Sequence, residues 1–234
     1  MTQVSITLHR KKFVRYVAGL VFLLTALHLA GLYLKFGLGY STAMGFIPAF
    51  NFEVEANFPT YISALLLAFS SLLLYWISRQ EKKRQSSFAR QWLLLSMIFL
   101  ALSFDEIVGF HELMNYPIQS ALDIESGYFY FPWIIAGMVV VGLLAVFFAR
   151  FFFSLAPATR VGLSLAAVFY LGGTIGLEAL GGKHAAVYGL ENAAYQYYVL
   201  FEEVFELLGI TLLINTLLRH LQIANSSIEI HTGD

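Results

Sequence analysis

Cysteine is absent from the 234 residues, and charge is scarce: aspartate, glutamate, lysine and arginine together make up 12% of the chain. The first absence excludes disulfide staples, thiolate metal centres and cysteine nucleophiles. The second excludes a globule that covers its surface in water, since such domains carry about 25% charged residues. Any chemistry must come from carboxylates, histidines, hydroxyls or backbone. No Walker motif, dinucleotide fingerprint or nucleic-acid patch occurs, and the G-x-S-x-G of membrane serine proteases is missing. His111-Glu112-Leu113-Met114-Asn115 begins like the zincin H-E-x-x-H but ends on asparagine. Six histidines are too few for a histidine-rich membrane desaturase.

What is abundant is apolar sequence, 59% of the chain. Runs long enough to cross about 30 Å of hydrocarbon fall at 13–35, 59–78, 91–113, 132–154, 161–181 and 198–218. The expectation is therefore an all-α, polytopic membrane protein: one bundle of six transmembrane helices over residues 1–222, followed by a short polar tail, 223–234. The first run is too long for a signal-peptide core and lacks a small-residue cleavage site, so it reads as a retained helix. Phe58-Pro59 and Phe131-Pro132 place proline at helix starts, and Asn57 is a suitable cap.

Basic residues set the expected orientation. Arg10, Lys11, Lys12 and Arg15 precede the first run, five more lie between the second and third, Arg150 and Arg160 flank the fourth link, and Arg219 closes the sixth run. All of these fall on one side, with only Lys35 and Lys183 on the other. Both termini are expected in the cytoplasm of a cell whose plasma (inner) membrane holds the chain, with three loops and most tyrosines outside.

The acids are distributed the opposite way. Glu53, Glu55, Asp123, Glu125 and Glu191 fall in outer loops, where solvation explains them. Asp105, Glu106, Glu112, Glu178, Glu202, Glu203 and Glu206 fall inside the apolar runs. Helical rise puts Asp105, Glu106 and Glu206 about 10 to 12 Å below the outer helix ends, with His28 at a similar depth and His111 above it. At 100° per residue, Glu202, Glu203 and Glu206 share one side of their helix. Gly172-x-x-x-Gly176 and Gly209 mark places where helices can approach closely.

A buried carboxylate costs on the order of 2.5 to 3.5 kcal/mol at the bilayer centre. Seven of them require compensation by metal ions, protons or water. Carboxylates with histidine and no cysteine suit paired iron, manganese or zinc ions. The expected ligand set is Asp105, Glu106, His111, Glu112, Glu178, Glu202, Glu203, Glu206 and His28. The familiar Glu-x-x-His pairs of helical di-iron bundles are absent. The favoured function is a metal-dependent, dinuclear membrane enzyme with di-iron as a candidate centre, an oxidoreductase or a hydrolase acting on a lipid or other apolar substrate. The alternatives are a cation- or proton-coupled transporter or channel, and a scaffold with a structural ion. Against transport stand the lack of any acid or histidine in the inner halves of the second to sixth runs and of discontinuous-helix signatures.

Overall fold

The computed structural model describes residues 9–124 and 126–223; most of the expected polar tail lies outside them. Among the described residues the secondary structure is helical, with no strand. In chain order the α-helices are α1 (Arg10–Leu32), α2 (Phe46–Phe50), α3 (Phe58–Lys83), α4 (Ala89–Val108), α5 (Phe110–Leu113), α6 (Asn115–Leu122), α7 (Trp133–Ser154), α8 (Pro157–Leu171), α9 (Glu178–Tyr188) and α10 (Ala193–Ile223). Wider π-helical turns, Tyr33–Gly37 and Gly172–Leu177, extend α1 and join α8 to α9.

Five stretches are long and apolar enough to cross a membrane: Arg10–Gly37, Phe58–Lys83, Ala89–Val108, Trp133–Ser154 and Pro157–Tyr188. The chain is a multi-pass membrane protein. The sixth expected run is one 31-residue helix, α10, which carries Glu202, Glu203 and Glu206 in its N-terminal half. Several boundaries differ from expectation: α3 runs to Lys83 rather than 78, α8 starts at Pro157 rather than 161, and α10 covers Ala193–Ile223 rather than 198–218. The third run stops at Val108 rather than 113, because Gly109 takes a left-handed conformation (φ 63°) and turns the chain. The fifth continues to Tyr188 rather than 181, because the π turn accommodates Gly172 and Gly173 without breaking the helix.

The starts follow local chemistry. Asn57 accepts a hydrogen bond from the Thr60 amide at 3.2 Å, with Pro59 in the first turn of α3. Pro157 opens α8 in the same way. α3 and α4 are held by small hydroxyls instead of charges: Ser71 Oγ donates to the Ser96 carbonyl (2.7 Å), Ser96 Oγ to the Ser71 carbonyl (2.9 Å), and Ser103 Oγ to the Ala64 carbonyl (2.8 Å). Such bonds act as glue where lipid gives no hydrophobic drive for association.

α10 is the central element. Leu207, Ile210, Ile214 and Leu217 are almost fully buried in a core shared with α1, α3, α4, α7 and α8. α8 and α10 approach so closely that a methyl on Gly209 would meet the Tyr170 backbone nitrogen at 2.6 Å. The Gly172-x-x-x-Gly176 expectation is corrected by one position. A methyl at Gly176 would meet nothing, whereas at Gly173 it would meet the Glu202 carbonyl at 2.7 Å. The π turn shifts the register, so Gly173 faces α10.

This packing predicts that Gly209→Ala lowers the thermal unfolding midpoint in detergent, by an amount equivalent to about 1 to 3 kcal/mol of overpacking. Gly142→Ala, where a methyl meets nothing within 4 Å, does not lower it and is expected to raise it slightly through the helix propensity of alanine.

Candidate functional site

The left-handed turn at Gly109 builds the first part of the site. It folds α5 back over the end of α4, so the Asp105 carboxylate receives two hydrogen bonds from His111: the backbone amide at 3.0 Å and Nδ1 at 2.8 Å. A carboxylate only accepts, so Nδ1 carries the hydrogen and the Nε2 lone pair is the one left for chemistry. Burial pulls the imidazole pKa down, but the hydrogen bond and charge of Asp105, with the charges of Glu178 and Glu112, hold it above its ordinary value.

Trp133, at the start of α7, connects this corner to the next helix. Its ring lies 4.7 Å from that of His111, and its Nε1 donates to Glu178 Oε1 at 2.7 Å. Its backbone amide donates to Asn115 Oδ1 at 3.0 Å. Glu178 itself follows the π turn, the irregularity that sets its phase toward α7. On the facing side, α10 presents Glu202, Glu203 and Glu206, with Thr174 beside Glu206 and Ser63 beside Glu106.

All of these groups except Ser63 line one cavity of about 1070 Å³. Eight of the nine residues expected from sequence are brought to it: Asp105, Glu106, His111, Glu112, Glu178, Glu202, Glu203 and Glu206. His28 is not among its walls. It is 1% exposed, accepts a hydrogen bond from the Phe52 amide at Nδ1 (3.1 Å) and stacks on the Phe52 ring at 4.5 Å. Its place is behind the 51–57 loop, which it pins.

That loop supplies what sequence reasoning missed. Glu53 and Glu55, expected to be solvated, line the cavity instead. Glu53 accepts a hydrogen bond from the Gln196 amide group, and the Glu55 carboxyl covers Gly109, where an added methyl would meet it at 2.8 Å. The Asn57 amide ties the loop inward by donating to the carbonyls of Asn51 (2.6 Å) and Pro48 (3.1 Å). Burial raises the pKa of both acids; the charge of Glu112 adds to the effect at Glu55, while Gln196 and Lys35 oppose it at Glu53. Glu191 pairs with Lys35 at 3.3 Å and stays exposed. Glu125 lies outside the described residues.

The site is thus nine carboxylates and one imidazole, with neither lysine nor arginine in the wall. Among the described residues, no three histidine, aspartate or glutamate side chains converge to hold a metal ion. The acids are spread around a chamber.

Glu55 gives a pH-dependent prediction. A carboxyl whose pKa is higher in the folded state favours folding at low pH, and that contribution is lost as pH rises from the unfolded value of about 4.3 through the raised folded value. Glu55→Gln should flatten the stability-pH curve across that range and raise the unfolding midpoint at pH 7 relative to the parent. Thermal unfolding between pH 4 and 8 measures both.

No curated protein and no solved structure matches the chain. A family profile described as a domain of unknown function, DUF8692, matches residues 14–221, which include the transmembrane helices and every residue of the cavity wall. The chain belongs to the DUF8692 family.

Proposed function

We propose that this protein is a membrane-embedded, metal-dependent enzyme that acts on a lipid or other apolar substrate. The observation that carries the reading is the cavity wall: among the described residues, nine carboxylates and an imidazole at one end, apolar side chains at the other, and neither lysine nor arginine to neutralise the acids. Two divalent ions would cancel four of the negative charges, and iron, manganese and zinc all accept this ligand set. The His111 Nε2 lone pair is the natural nitrogen ligand, with Asp105 behind it fixing the ring, the arrangement usual for metal-bound histidine. In this reading Asp105 orients, and Glu106, Glu112, Glu178, Glu202, Glu203 and Glu206 supply oxygen. The metal would either lower the pKa of a bound water for hydrolysis or support oxidation.

α10 is taken as a sixth crossing. With Arg10, Lys11, Lys12 and Arg219 at the inner ends, both termini are cytoplasmic and the carboxylates lie toward the outer face of the plasma membrane. Transport is the weaker reading, because the cavity walls below the acids are apolar apart from scattered hydroxyls and give an ion no polar path inward.

Protein extracted in mild detergent without chelator is expected to carry about two metal atoms per chain. Glu206→Gln should reduce that number, and Asp105→Asn should weaken metal affinity by about 10- to 100-fold, with both variants inserting and eluting normally. Elemental analysis checks all three. Metal-free protein that stays empty after incubation with each ion would overturn the proposal.

A further inference from the structure

The cavity continues well below the carboxylates. There its walls come from α4, α7, α8 and α10, through side chains such as Leu95, Phe99, Val140, Phe148, Leu163 and Leu213. From Asp105 to Leu95 the wall descends ten residues of α4, about 15 Å. That is roughly half the thickness of a bilayer's hydrocarbon core of about 30 Å.

α7 creates this space. Its outer end is fixed by buried Trp133 and Ile134, and its inner end by buried Phe148 and Phe151, the latter edge-on to Trp92 at 4.9 Å. Between Ile134 and Phe148 no residue of α7 is buried. A helix tied at both ends and standing off in the middle leaves a slot, lined on its side by Gly137, Val141 and Ala145.

The two ends of the slot define what fits. The inner end accepts hydrocarbon. The carboxylate end offers hydrogen-bond acceptors, and among the described residues no lysine or arginine lines it. A phosphate or carboxylate head would add negative charge where even two divalent ions leave five carboxylates uncompensated. A permanently cationic head would compete with those ions. A hydroxyl carries no charge, donates to a carboxylate and can ligate a metal.

We infer that the substrate is a long-chain amphiphile with an uncharged, hydroxyl-bearing head, its tail in the slot between α4, α7, α8 and α10 and its hydroxyl at the carboxylates. This rests on the reading of the carboxylate layer as the reaction site. Binding of radiolabelled hexadecanol and hexadecyl phosphate to protein-loaded and empty phosphatidylcholine nanodiscs tests it, because the two probes share a tail and differ in the head. Hexadecanol should bind at least about tenfold more tightly, as expected when one head meets like charge. Ala145→Trp and Ala167→Trp, which fill the slot, should each weaken hexadecanol binding without changing metal per chain. Equal binding of the two probes, or preference for the phosphate, overturns the inference. So does unchanged binding in both filled variants when they elute as the parent does. Metal content measured on the same discs separates the two readings. Metal-free protein that still prefers the alcohol retains this inference and overturns the metal proposal; metal-loaded protein without head preference does the reverse.

Discussion

Carboxylates gathered without basic partners inside a membrane protein are the constraint around which the rest of the structure is arranged. Each would cost on the order of 2.5 to 3.5 kcal/mol at the bilayer centre, and nine left uncompensated would exceed a typical domain stability of about 5 to 15 kcal/mol. The fold disposes neutral donors around two of them, Trp133 Nε1 at Glu178 and Gln196 at Glu53, and pairs Asp105 with the His111 imidazole. Among the described residues neither lysine nor arginine lines the wall. The charge that remains is the physical basis of the proposed metal reading.

Backbone irregularities hold this arrangement in place. The left-handed turn at Gly109 returns His111 to Asp105. The π turn at Gly172–Leu177 brings Gly173 against α10 and sets the phase of Glu178 toward Trp133. Both occur where a regular helix would have directed the polar group elsewhere. The looser packing of α7 complements them, since it opens an apolar slot directly under the charged layer. Charged ceiling and apolar slot form one chamber, and that pairing is the basis of the proposed amphiphilic substrate.

Much of this was legible in the sequence because the signals were local. Run length located the five membrane-crossing stretches, and the 100° rotation per residue placed Glu202, Glu203 and Glu206 on one side of α10, which is where the cavity lies. The losses were tertiary. Glu53 and Glu55 sit in a loop, and only the inward ties made by Asn57 and His28 show that the loop folds over the site. His28 matched the acids in depth, but depth says nothing about azimuth, and its ring faces Phe52. The expected Gly172 and Gly176 contact was displaced to Gly173 because α-helical periodicity does not hold through a π turn. The left-handed conformation of Gly109, and the hydrogen bonds that follow from it, carried no signal in the run-length pattern, which continued to 113.

Metal-edge X-ray absorption on the protein in lipid nanodiscs tests the central claim most directly. The account predicts a first shell of oxygen with an imidazole contribution that His111→Ala removes, and a second metal at about 3.5 to 4 Å. A fully hydrated ion, or a spectrum that His111→Ala leaves unchanged, would contradict it.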